Sequence, residues 1–291
     1  MFSKLKSLRE YFRVFLADNR LLFAGIRQRR GANAKEYLLR RNIHRLEKGL
    51  RNPECRIPFG QAYAGQTERD FETYRSQLPP AIADWGDHVL AEYRQRHANP
   101  ALPVEAPADV AIPLDAPDYA SLRAAFAQRT SCRHFIAPAP AGDAIAEILH
   151  DTRHIPTSCN REAYRVLIVE TPEKRDWLLA NSIGLTNFTG VEHCTVLAFV
   201  ADLAAVNHPR DRHVPVMDCS FASLLFALAA QSRGLATCYL NWPIRPNTDR
   251  QSRAVLNLPA TQKIVFCLLV GHQNPALSSG KSPKSGRICK V

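Results

Sequence analysis

The chain has 291 residues, enough for one large domain or a domain with an appendage. No apolar run reaches the roughly 18 residues that span a bilayer, and the N-terminus lacks the continuous apolar core of a secretory signal. The net charge of +11 is concentrated: residues 1–60 hold 15 Lys/Arg against 5 Asp/Glu, and the remainder holds 23 against 22. A basic N-terminal segment therefore precedes a nearly neutral body.

In chain order, the first segment spaces Phe2, Leu5, Leu8, Phe12, Phe15 and Leu16 as a helix, with Lys4, Lys6, Arg9 and Arg13 among them. Such a basic amphipathic helix suits an anionic membrane surface, and suits equally well packing on the body or on a protein partner. Residues 1–30 thus carry the expected peripheral contact. No nucleic-acid recognition motif accompanies the charge, so nucleic acid is not an expected partner. A second helix is expected over 34–50, with Gly49 as its left-handed closing residue. Near its end His44, Glu47 and Lys48 lie about one turn apart. They read either as a small site or as a capped surface helix end. Helices over 68–78 and from the Pro79-Pro80 break to 97 follow. Residues 99–117 contain five prolines and read as an extended linker. The expected division is a basic helical extension over 1–98, the linker over 99–117, and a main domain over 118–291.

The main domain alternates helices and strands. Helices are expected over 119–128, 143–152 and 172–181, the last with Pro172 at its start. Strands are expected over 164–170, 194–201, 237–242 and 263–271. Between them, 217–232 is a long, almost entirely apolar helix, expected to be buried on most sides. This pattern implies a covered sheet with a central buried helix.

The eight cysteines, Cys55, Cys132, Cys159, Cys194, Cys219, Cys238, Cys267 and Cys289, form no CxxC pair and no metal spacing with histidine. Reduced thiols, no metal centre and a cytoplasmic location are expected. His193 reads as a strand-end residue, and His208 and His213 have no third ligand. No GxSxG, Walker-type or GxGxxG element is present, so no catalytic side chain is expected from these signatures.

Three segments are polar where the pattern does not require it. Arg129-Thr130-Ser131-Cys132-Arg133 places two planar cations and two hydroxyls together, as a phosphate site requires. Its alternative reading is an exposed basic helix end. Pro156-Thr157-Ser158-Cys159-Asn160 presents hydroxyls and an amide able both to donate and to accept. Its alternative reading is a turn rich in turn formers. The C-terminal run 281–287 carries Lys284 and Arg287. It reads as a solvated tail or as a second arm on the same phosphate.

These segments, in this order, resemble the nitroreductase family of flavoproteins over residues 118–291. The family's R-x-S-x-R-x-F element is matched by Arg129, Ser131, Arg133 and Phe135. Its P-S-x-x-N-x-Q-P-W loop is matched in part by Pro156-Thr157-Ser158-Cys159-Asn160. Its G-L-G-T after a long buried helix is matched by Gly234-Leu235-Ala236-Thr237, and its closing strand and basic tail by 263–287. The resemblance implies an α+β fold, a sheet sandwiched by helices, with an all-helical N-terminal extension. It implies a homodimer with FMN at the subunit interface. Arg129, Thr130, Ser131 and Arg133 would hold the FMN phosphate and ribityl chain, with help from Lys284 and Arg287. Pro156, Ser158 and Asn160 would reach the flavin of the partner. Asn187 and the backbone around Cys238, Tyr239 and Leu240 would lie near its ring. The implied activity is an FMN-dependent oxidoreductase passing electrons from NAD(P)H to a small organic acceptor, nitroaromatic, quinone-like or biosynthetic. Alternatives are a flavin dehydrogenase or flavin-fragmenting enzyme without nicotinamide, and a non-catalytic flavin-binding scaffold docked by its basic helix.

Two departures stand near the expected pocket. Arg161-Glu162-Ala163-Tyr164 replaces the Q-P-W end of the loop, and Tyr239 to Pro246 lacks the family's small-residue pattern. The H-R-L-E-K-G-L stretch at 44–50 resembles extensions on nitroreductase-like proteins associated with surface-polysaccharide genes.

Overall fold

The computed structural model describes residues 2–27, 32–52, 56–102 and 118–277. Four helices come first: α1 (Phe2–Arg27), α2 (Ala32–Leu50), α3 (Gln61–Tyr74) and α4 (Pro80–Ala98). The main domain adds α5 (Tyr119–Gln128), β1 (Phe135–Ile136), α6 (Gly142–Asp151), β2 (Tyr164–Val169) and α7 (Pro172–Asn181). It continues with β3 (Thr195–Asp202), α8 (Val214–Ser232), β4 (Ala236–Asn241), α9 (Pro246–Leu256) and β5 (Gln262–Gln273).

Antiparallel pairing joins β2 to β3, β3 to β5, and β5 to both β4 and β1. Every residue of β3 is buried, because apolar side chains leave it on both faces. One face packs Val196, Ala198, Val200, Cys238 and Leu240 against Trp177 of α7 and Leu256 of α9. The other packs Leu197, Phe199 and Leu268 against α6 and α8 through Ile145, Ile148 and Phe226. Helices on both faces of one sheet give the expected α+β sandwich.

α2 joins the N-terminal helices to this body. One side of it, Leu39, Ile43 and Leu46, shares a core with Phe71 of α3 and Val89 and Leu90 of α4. Its other side lays Ala34 and Tyr37 on Ala163, Ala204 and Ala205. The Tyr37 hydroxyl donates to Asp202 (3.1 Å), whose carboxylate also accepts from Thr261 (3.0 Å) and Gln262 (2.9 Å). Burial and the nearby Asp202 push the Tyr37 phenol well above its ordinary range.

Several expectations change. Gly49 is not a left-handed terminus but an ordinary residue inside α2. A Cβ there would fall 2.1 Å from the Phe59 ring, so glycine makes room for an aromatic neighbour. Glu47 accepts from the Trp85 indole (3.0 Å) and lies near His44 (3.5 Å), which makes that trio a helix-packing feature. α8 is not buried on most sides. Met217, Phe221, Leu224 and Leu225 form a stripe at helical spacing, each at least 39% exposed. By length and composition the stretch Pro209–Ser232 could cross a membrane, yet its inner side is built into the core. α9 and the two-residue β1 were not expected. Residues 103–117 of the linker, the tail with Lys284 and Arg287, and Cys55 and Cys289 lie outside the described residues.

Candidate functional site

The Arg129 element begins where α5 stops. Asp118 caps that helix, accepting from the amides of Ala120 and Ser121. Beyond Gln128 the chain turns extended and runs beside β4. Ser131 bridges Thr237 in parallel, and the Cys132 amide donates to the Thr237 carbonyl (2.9 Å). Cys132 and Phe135 are buried and fix the segment, leaving Arg129, Thr130 and Ser131 half-buried and Arg133 exposed.

β4 alternates. Cys238 and Leu240 point into the core, while Tyr239 and Asn241 point away from it. The Cys238 thiol is raised by burial, an effect opposed by the nearby Arg133, Ser131 and Arg129. Burial raises Tyr239, and Ser223 and Arg129 work against it. Arg129, Ser131 and Arg133 therefore converge on Cys238–Tyr239. A small cleft of about 210 Å³ opens beside them, between Gln128, Thr130, Gln231 and Thr237.

Asn187 joins the same half of the molecule. Its segment exchanges hydrogen bonds with Asn241 through Ile183 (2.8 and 3.1 Å), and Thr189 donates to Arg133 O (3.1 Å). Asn187 itself is exposed and left-handed, at φ 65°.

Pro156, Ser158 and Asn160 are elsewhere. Their loop is a short 3-10 turn in which Cys159, Asn160 and Glu162 all have positive φ (55°, 53° and 50°). Left-handed backbone at three non-glycine residues stores strain that the surroundings must hold. The buried Arg161 does much of this. It donates to Ser158 O (3.0 Å), Ser158 Oγ (2.9 Å) and Ala205 O (2.9 Å), and pairs with Asp211 (3.3 Å). Asp218 on α8 accepts from the Ala163 amide (3.0 Å), and burial raises its carboxyl above the ordinary range. Glu162 pairs with Arg40 of α2 (3.2 Å), which also binds Glu36 (3.0 Å). The Asn160 carboxamide has no partner among the described residues.

The two halves lie far apart in one chain. Thr237 is level with Val270 of β5, and Tyr164, through Ala201, is level with Lys263. That is about 23 Å along the strands, with three strand spacings, about 14 Å, across them. α8 gives a second ruler. Gln231 donates to Ala125 O of α5 at one end, and Asp218 holds Ala163 at the other, about 20 Å of helix away. Diagonal corners of one sheet cannot touch one planar ligand within a single chain.

The residues missed in the sequence are Arg40, Arg161, Glu162 and Asp218. Glu162 stands where the family loop has Gln, and Arg161 fills the unrestricted position before it. That departure was the available signal.

The sequence model of the nitroreductase family matches residues 126–187 and 182–272, together just over half of the chain. The chain belongs to the nitroreductase family. The match starts inside α5 and ends in β5, and so contains both halves described above. Membership makes the protein an oxidoreductase of flavin-dependent type. Among solved structures, NfrA1 of B. megaterium is similar at 21% identity, covering 59% of this chain and 74% of that one, with a TM-score of 0.50. That likeness is one of fold. The NfrA1 nitroreductase of B. subtilis is similar at 25% identity over 56% of this chain and 69% of its own, with a TM-score of 0.49. Nitroreductase A of Vibrio parahaemolyticus is similar at 20% identity over 59% and 78%, also at 0.49. No curated protein matches the sequence.

The donor set at β4 fits the phosphate end of a flavin nucleotide. Two guanidinium groups and the Ser131 hydroxyl lie near Cys238, Thr130 lines the small cleft beside them, and the body around them is nearly neutral.

Proposed function

We propose that the protein is an FMN-dependent homodimeric oxidoreductase that passes electrons from NAD(P)H to a small organic acceptor. The observation that carries this is the convergence of Arg129, Ser131 and Arg133 on Cys238–Tyr239, at the corner of the sheet opposite Asn160. Arg129, Arg133 and Ser131, with Thr130 beside them, bind the phosphate and ribityl chain. Lys284 and Arg287, outside the described residues, are further cations assigned to this phosphate by the family resemblance. The backbone of Cys238 to Leu240 lies along the ring edge, and Asn187 flanks it. When bound, FMN supplies the hydride and single-electron chemistry, which accords with the lack of an acid–base pair in the motifs.

Pro156, Ser158 and Asn160 serve the flavin of the other subunit. Ser158 Oγ already accepts from Arg161 but keeps its own proton to donate. Asn160 has its carboxamide free for the ring edge. The exposed stripe of α8, and the exposed Tyr119, Leu122 and Phe126 of α5, give the two copies an apolar face to share. The acceptor, nitroaromatic, quinone-like or biosynthetic, is organic and small enough to lie against the flavin. The cysteine spacing, without CxxC pairs, favours a reducing, cytoplasmic setting.

The test is optical. The purified protein is expected to be yellow and to release FMN on denaturation. Arg129→Ala with Arg133→Ala is expected to give colourless, folded protein, since charge-assisted contacts each contribute about 1.5–3 kcal/mol. Wild-type protein without flavin, or a double variant that stays yellow, would refute the assignment. Turnover of NADH or NADPH with a quinone then separates the proposed reaction from a nicotinamide-independent one.

A further inference from the structure

We propose that α1 docks this protein onto an anionic lipid surface. The helix is fastened along one side only. Leu22, with Leu21 and Ile26 beside it, packs on Leu203 and Val206, and Asp18 pairs with Lys263 of β5. Gly25 sits so close to the body that a Cβ would meet the Leu203 carbonyl oxygen at 2.3 Å. This seat is tight and specific, so α1 is presented in one orientation.

The outward side has two stripes. Phe12, Phe15, Leu16 and Phe23 are each at least 46% exposed. At 100° per residue, Arg9, Arg13, Arg20 and Arg27 form a row along the edge of these apolar residues. All four are exposed, and none makes an ion pair among the described residues. The body adds a fifth cation. Arg245, at the start of α9, faces Arg9, Arg13 and Arg20 across a groove of about 1070 Å³ whose apolar walls include Leu16 and Ile244.

Charge decides between occupants. A second copy across a two-fold axis would set this row against its own image, and like charges opposed in an interface repel. Beyond residue 60 the chain holds 23 cations against 22 anions, so it offers no acidic surplus to match the row. An anionic leaflet matches both stripes at once: phenylalanine rings enter the headgroup–acyl boundary and arginines meet phosphates. The groove admits a phosphate-bearing headgroup beside apolar walls. Anionic lipid belongs to the cytoplasmic leaflet, which agrees with the proposed compartment.

The experiment is flotation of the full-length protein with vesicles of phosphatidylcholine alone, or with added phosphatidylserine. Binding is expected only to the anionic vesicles, and it should weaken as salt is raised. Each arginine near such a surface contributes about five-fold to partitioning. Arg9→Gln, Arg13→Gln and Arg20→Gln together should therefore weaken binding on the order of a hundred-fold. Phe12→Ser with Phe15→Ser and Phe23→Ser should also release the protein. These side chains face outward, so circular dichroism and mass by light scattering should not change. Failure of the wild-type protein to bind anionic vesicles overturns the proposal, as does equal binding to both vesicle types. A phenylalanine variant that changes from dimer to monomer also overturns it, because the face would then belong to a second copy.

Discussion

Gly49 and Asp218 show how single positions are set by what they touch. Gly49 lies under the Phe59 ring, whose own carbonyl accepts from the Tyr93 hydroxyl. Gly49→Ala gains about 1 kcal/mol of helix propensity but forces a methyl into a filled space, which costs about 1–3 kcal/mol. A lower Tm is the expected result, measured by calorimetry. Asp218 is held by the Ala163 amide but raised by burial. A carboxyl raised in the folded state favours folding most below its unfolded pKa. That contribution is lost as pH climbs through the folded value. Asp218→Asn keeps an acceptor and removes the charge. Tm against pH should then be flatter just above the ordinary carboxylate range, and an unchanged profile would rule this reading out. Neither effect is visible in the sequence, where Gly49 looks like a helix stop and Asp218 like an oddity in an apolar run.

Elements were more legible than their surroundings. α5 and α7 match the expected 119–128 and 172–181, the second beginning at Pro172 as expected. β3 announced itself through an unbroken apolar run. α9 escaped because its buried residues are Thr248, Asp249 and Ser252, which carry no apolar period. The open side of α8 escaped for the reverse reason, since a helix apolar all round does not say which side is covered. The arginine half of the candidate site was legible because charge stands out in a neutral body. The supports of the Asn160 loop were not, because Arg40 is 122 residues from Glu162 and only the fold brings them together. Two predictions belong here. Phe221→Glu with Leu224→Glu should leave the fold intact and yield monomers by light scattering. Arg40→Ala should slacken the strained loop and weaken FMN binding about ten-fold, the equivalent of about 1.4 kcal/mol. The visible circular dichroism of bound flavin should change with it, whereas a purely structural role would lower Tm and leave that spectrum alone.

The whole molecule is built on a sheet that holds the two candidate half-sites at diagonal corners. Its N-terminal helices are attached at one of those corners, where α2 meets Glu162 and Ala163. If each flavin takes one corner from each chain, a mixed dimer with one Asn160→Ala subunit keeps one normal site. Equal damage at both sites would contradict the sharing. A cofactor gripped by two chains also stays bound only while they remain together. Flavin retention and subunit association then become one equilibrium, and each strengthens the other. Dilution should bleach the protein, and surplus FMN should slow the bleaching. In a cell, sparse chains would stay colourless and inert until their number crossed the association threshold. Abundance itself would then act as the switch.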